Sequence, residues 1–231
     1  MKLLLLSDLG GKIPEIQQDI ISKTSLVLVA GDVTLGARHE NTIQRCFVEL
    51  GKLLQPPKPV LYIPGNHDYP AVAENHPWIP QNFTLLHNRS IITEIEGFPK
   101  RLLVIGFGGA TLGLYNNFAF HEDEILTSIS HLFEKTTEDR KDRAVFTILL
   151  VHDAPLNTAL DFTYMKTHVG SESIRRVIET YQPDLAVCGH IHESPGLEHI
   201  GKTTCVNAGE ARHGKYAIIN VELTGIQVVF H

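Results

Sequence analysis

Apolar residues fall along this chain in short unbroken runs, each closed by glycine, aspartate, asparagine or histidine. The runs are 2–6 (KLLLL), 25–30 (SLVLVA), 59–63 (PVLYI), 102–107 (LLVIGF), 145–151 (VFTILLV) and 184–188 (DLAVC). A half-exposed strand alternates apolar with polar positions, so runs without alternation predict strands covered on both faces. Between them, residues 14–23, 41–54, 121–135 and 171–181 read as helices; in the last, Ile174, Val177, Ile178 and Tyr181 recur at helical spacing behind a Ser171 cap. Strand and helix in turn predict βαβ units and a mainly parallel or mixed sheet.

The pattern changes near the C-terminus, where residues 202–207, 215–222 and 225–230 read as strands with a hairpin turn at Leu223-Thr224-Gly225. They are expected to add to a second sheet. Residues 70–100, with Pro70, Pro77, Pro80, Pro99 and the lone Trp78, are the most loop-like stretch and are expected to overhang a site. No repeat, low-complexity tract or flexible linker interrupts the chain, so residues 1–231 are read as a single domain.

Composition narrows the function classes. The balance of 43% hydrophobic and 20% charged residues suits a water-soluble fold with a real core. A net charge of −6 lacks the basic stripe that extended nucleic acid demands, so long DNA or RNA is not the expected partner. Cys46, Cys188 and Cys205 sit far apart in apolar surroundings and read as buried thiols in a reducing compartment. The opening MKLLLLSD is too short for a signal segment or a membrane span, which points to a cytoplasmic protein without a membrane partner.

Chemistry collects at the strand ends, where α/β folds place their ligands. Residues 2–6 are followed by Ser7-Asp8, 25–30 by Gly31-Asp32, and 59–63 by Pro64-Gly65-Asn66-His67-Asp68. Then 145–151 leads to His152-Asp153, and 184–188 to Gly189-His190-Ile191-His192. Any one of these is an ordinary turn, cap or surface histidine. Together, oxygen and imidazole donors delivered to one sheet edge predict divalent-cation binding. Gly31, Gly65 and Gly189 allow the sharp turns that would aim the next side chain inward. The glycines between 106 and 113 contain no P-loop pattern and read as a wall of the pocket, and the amides opening the 171–181 helix could attract a phosphate.

With these motifs in view, the sequence resembles the calcineurin-like metallophosphoesterase superfamily, whose signature runs D-x-H, GD, GNH followed by an acid, a lone His, and GHxH. The likeness extends from Asp8 to Asn207-Ala208-Gly209, and within the superfamily it is strongest to small prokaryotic phosphoesterases related to cyclic-nucleotide phosphodiesterases. The resemblance implies an α/β fold, a four-layer αββα sandwich with two mixed β-sheets. It implies two divalent metal ions (Mn, Fe, Zn or Mg), with Asp32 bridging them, Asn66, His152 and His190 completing one site, and Asp8 and His192 belonging to the other. His67 would be a non-ligand that steadies the transition state and protonates the leaving oxygen, with Asp68 either orienting it or forming the turn.

One departure stands out: the first motif is Asp8-Leu9-Gly10, without its histidine. The first metal is therefore expected to bind more weakly or leave its site empty, and Gly10→His is expected to tighten it. The implied activity is hydrolysis of a small phosphodiester or phosphomonoester by a metal-bound hydroxide. The alternative is a non-catalytic metal-binding or scaffold protein with a partly decayed site, and association into a homo-oligomer stays open.

Overall fold

The computed structural model describes residues 1–113, 116–142 and 144–231. In chain order the elements are β1 (Lys2–Leu6), α1 (Gln18–Lys23), β2 (Leu26–Ala30), α2 (Glu40–Leu53), β3 (Val60–Ile63), β4 (Phe83–Leu85) and β5 (Arg89–Thr93). There follow β6 (Arg101–Phe107), the short pair β7 (Ala110–Thr111) and β8 (Ala119–Phe120), α3 (Glu122–Lys135), α4 (Thr137–Lys141), β9 (Val145–Val151) and α5 (Glu172–Tyr181). Last come β10 (Leu185–Cys188), β11 (Gly196–Ile200), β12 (Thr203–Asn207), β13 (Ala217–Glu222) and β14 (Gly225–Phe230).

Two six-stranded sheets form, ordered β14-β13-β1-β2-β3-β4 and β11-β12-β10-β9-β6-β5. In the first, β1 to β4 run parallel, and β13 pairs antiparallel with both β1 and β14. In the second, β12, β10, β9 and β6 run parallel, with β11 and β5 as antiparallel edges. Both sheets are mixed, as expected.

The unalternating runs have a direct physical outcome, because successive side chains of a strand point to opposite faces. Leu3 and Leu5 of β1 enter the core between the sheets, while Leu4 and Leu6 enter a second core with Ile21 of α1 and Ile43, Phe47 and Leu50 of α2. In β9, Phe146, Ile148 and Leu150 face the inter-sheet core. Val145, Leu149 and Val151 face a third core shared with Ile129 and Phe133 of α3 and Val177 and Ile178 of α5. Three cores between four layers make the αββα sandwich, each fully buried aliphatic side chain contributing roughly 1.5–3 kcal/mol of transfer free energy.

Several expectations need correction. The first helix begins at Gln18, not at 14, since no side chain caps its start and the segment at Pro14 is not helical. The stretch 70–100 holds two strands, β4 and β5, which reads as loop because its prolines and exposed positions mask short edge strands. Of the C-terminal strands only β12 joins the second sheet. The hairpin β13–β14 extends the first, where Ala217, Ile219 and Val221 bring their apolar face to the inter-sheet core beside β1.

Candidate metal centre

The parallel strands of each sheet direct their carboxyl ends to one edge, and hydrogen bonds there tie the two sheets together. His152, fully buried at the end of β9, pairs through Nδ1 with the Ala30 carbonyl of β2 at 2.7 Å. The His190 amide, after β10, donates to Asp8 Oδ2 at 3.1 Å, after β1. Backbone bonds from Asp8 N to Gly31 O (3.0 Å) and from Gly189 N to His152 O (3.0 Å) fix neighbouring loops within each sheet.

The six residues predicted from the sequence lie near one another at this edge, and three of them, Asp8, Asp32 and His152, bring their ligand atoms together. Asp8 Oδ1 lies 3.0 Å from His192 Nε2, and Asp8 Oδ2 accepts from Ser7 Oγ at 2.6 Å. His152 Nε2 lies 2.8 Å from Asn66 Oδ1 and 3.6 Å from Asp32 Oδ1, and the His152 and His190 rings meet edge to face with centroids 5.1 Å apart. Donor atoms of Asp8, Asp32 and His152 all lie within 4.8 Å of one another, so these three could share one cation. His67 is half-buried at the rim, its amide donating to Asp32 Oδ1 at 2.9 Å. Asp8, Asp32, His67 and His192 line a small cavity of about 90 Å³ together with Gly10, Glu210 and Arg212.

Close approach explains the glycines. A Cβ on Gly65 would collide with Asp32, and one on Gly189 with Ser7 and Asp8. Asp8, Asp32 and His190 themselves adopt left-handed backbone angles, with φ of 57°, 50° and 66°. Side chains other than glycine rarely accept that region, and such residues cluster at functional sites.

Electrostatics suits a cation. Burial and the adjacent charges of Asp8 and Asp68 push the Asp32 carboxyl well above the usual carboxylate range. Burial also pushes Asp8 upward, but the hydrogen bond from His192 and the imidazole charges outweigh it and leave it lowered. Two buried carboxylates so close repel, and a dication between them turns that repulsion into attraction. Burial, and then His152, pull His190 down to about 3, keeping it in the neutral form that ligates metals. Burial and the same imidazole neighbours lower His67.

Asp68 resolves into a structural role. Fully buried, it accepts from Val33 N (3.0 Å), Thr34 N (2.8 Å), Thr34 Oγ1 (2.7 Å) and Gly65 N (2.9 Å), clamping the loop after β2 to the loop after β3. The α5 amides are also taken: Glu122 accepts from Ser171 Oγ (2.8 Å), Glu172 N (3.0 Å) and Ser173 N (3.0 Å), so a protein carboxylate occupies the position expected to attract phosphate. The Ser171 cap is present, accepting from Ile174 N at 3.1 Å. His168 faces Asp161 at 2.7 Å and lines an open cleft away from the donors. Gly106–Gly113 contributes no wall to the donor cavity, because Gly106 and Gly108 pack against Leu86 and Pro64.

Sequence reasoning missed Glu210 and Arg212, which reach the cavity from the turn after β12. Glu210 Oε1 stands 3.3 Å from His192 Nδ1, and the carboxylate also pairs with Arg212 and with His213 Nδ1 at 2.5 Å. The charged run Glu-Ala-Arg-His directly after Asn207-Ala208-Gly209 was the available signal.

A two-sheet sandwich with acid and imidazole donors gathered at one strand-end edge defines a metallophosphoesterase class of fold and site. The chain belongs to the calcineurin-like phosphoesterase family, whose profile matches residues 1–194. It is 29% identical over 212 residues to the uncharacterized protein MJ1162 of Methanocaldococcus jannaschii, covering 90% of this chain and 87% of that protein. Among solved structures it resembles TT1561 of Thermus thermophilus with a TM-score of 0.67 at 17% identity, covering 99% and 97% of the two chains. It also resembles a dimetal phosphatase of Danio rerio with a TM-score of 0.62 at 10% identity, covering 100% and 98%. At such identities the structures attest the shared fold.

Proposed function

We propose that the protein is a metal-dependent hydrolase of small phosphodiesters or phosphomonoesters. The observation that carries this reading is the meeting of Asp8, Asp32 and His152 ligand atoms where the strand ends of the two sheets adjoin, with Asp8, Asp32 and His192 lining a cavity beside them. Asp8, Asp32, Asn66, His152, His190 and His192 would hold two divalent cations, with Asp32 between them. When bound, the cations supply Lewis-acid polarisation of the phosphoryl oxygens and of water.

The remaining steps belong to side chains of the chain. His67, at the rim and outside the donor set, lines the cavity, where it would deliver a proton to a leaving oxygen once bound anionic phosphate raises its lowered pKa. Its amide bond to Asp32 keeps the ring close to the donors. Asp68 keeps the loops carrying Asp32 and His67 in register, which holds reacting groups in line without contacting them.

The test is hydrolysis of bis-p-nitrophenyl phosphate and p-nitrophenyl phosphate with Mn, Mg, Zn or Fe added. His67→Ala should cut turnover by about 10²-fold or more while bound metal stays, and Asp32→Ala should lose both. Wild-type protein inert with every metal would instead support a non-catalytic metal-binding role, and His67→Ala protein stripped of metal would show that His67 is a ligand.

A further inference from the structure

Gly10 stands where the resemblance leads one to expect a histidine, and another residue fills that space. A Cβ built on Gly10 would lie 3.2 Å from Arg212 Cδ and 3.7 Å from Arg212 Nη1, and Gly10 itself has φ of 54°. A histidine placed there would be strained at this φ and its Cβ would press on the Arg212 side chain, so Gly10→His carries a backbone cost to set against any gain in metal affinity.

Arg212 is tied to the donor loop at two levels. The main chain of its segment bonds to the residues after β1, Ala211 N to Ser7 O at 2.9 Å and Arg212 N to Asp8 O at 3.2 Å. Its side chain pairs through Nε with the buried Glu210 carboxylate, which also faces His192 Nδ1. That contact is an ion pair, and among the described residues neither Arg212 Nε nor Glu210 Oε1 makes a hydrogen bond. Among the described residues no acceptor engages Nη1 or Nη2, and the residue lines the same cavity as Asp8, Asp32 and His67.

A guanidinium has only donors and stays protonated, so it cannot replace a metal ligand. It matches tetrahedral oxyanions through paired N–H groups, however. The cavity carries three carboxylates, Asp8, Asp32 and Glu210, which would repel an anionic ester. A fixed positive charge among them offsets that repulsion at the substrate's side of the cavity.

We propose that Arg212, held by Glu210 against Gly10, grips the substrate's phosphoryl oxygens beside the cation ligands. This residue assignment deepens the phosphoesterase reading and rests on it for the identity of the substrate. Glu210 is the positioning residue, fixing the arginine and His192 together.

The experiment titrates inorganic phosphate calorimetrically into Mn-loaded wild type, Arg212→Ala and Arg212→Lys, with Mn titrations of each apoprotein alongside. Arg212→Ala should weaken phosphate by about tenfold or more, Arg212→Lys should recover part of the loss because an ammonium lacks the fork, and Mn affinity should not change. Circular dichroism checks that each variant folds, and the lysine variant carries the test should the alanine variant fail to fold. Unchanged phosphate affinity overturns the inference, as does a fall in Mn affinity that accounts for the phosphate loss, or wild type that takes Mn but no phosphate. Because phosphate binding needs no turnover, arginine-dependent binding in a protein that hydrolyses nothing would defeat only the hydrolase reading.

Discussion

His87 illustrates how a single side chain sets a pH limit away from the cavity. Its ring packs on Phe107, Phe118 and Phe120, and Nδ1 accepts from Gly108 N at 3.1 Å. Burial, with some help from the Arg89 charge, pulls its pKa from 6.5 down to about 4. The folded state therefore resists protonation more than the unfolded chain does. Its contribution is complete above the unfolded value and is lost as pH falls from 6.5 toward 4. His87→Asn retains an acceptor for Gly108 N–H and removes the titration. The loss of stability on acidification through that window should shrink by about 3 kcal/mol, read as the difference between urea unfolding at neutral pH and at the acid end. Equal acid sensitivity in both proteins would show that other groups set the limit. At this scale the sequence was informative where a polar residue follows closely on a strand: the shared location of Asp8, Asp32, Asn66, His152, His190 and His192 was legible because strand direction dictates where they emerge. Glu210 and Arg212 were not, since their turn leads away from a strand end and only tertiary folding returns it to Asp8.

Among the elements, α3 and α5 are joined by more than their apolar faces. Glu122, at the first turn of α3, bonds two amides and a hydroxyl at the start of α5, and Ser173 Oγ returns a bond to the Glu122 carbonyl at 2.7 Å. A carboxylate at a helix N-terminus gains from both hydrogen bonding and the helix dipole. Glu122→Ala should cost about 2 kcal/mol, a fall of roughly 4–8 °C in the unfolding midpoint for a chain of this size, with Glu122→Gln losing less. A melting curve superimposable on wild type would mean that solvent replaces these bonds without loss. Elements buried on both faces, such as β1, β2, β9 and β10, were evident from their runs. Those at the margins were hidden: β4, β5 and β11 are edge strands whose polar positions break the apolar pattern, as with half-buried Glu198 and exposed His199 in β11. Sheet membership was beyond local pattern too, because β13 finds its place against β1, some two hundred positions earlier in the chain.

For the molecule as a whole, the four layers keep two independent sheets facing each other across an apolar interior, and the candidate donors come from both. No helix among the described residues is long and apolar enough to cross a membrane. A ligand that binds only the folded chain stabilises it by mass action, by about 2.7 kcal/mol at a concentration one hundred times its dissociation constant. Excess Mn should therefore raise the unfolding temperature and a chelator should reverse the rise, both followed by scanning calorimetry. A midpoint indifferent to every divalent cation would count against the centre. The bond from His152 to Ala30 and the one from His190 to Asp8 have a mechanical consequence. They cross from one sheet to the other, so the donor geometry acts as a caliper on the spacing of the sandwich. A void opened deep between the sheets, far from Asp8, Asp32 and His152, would loosen the grip of these residues on a divalent cation.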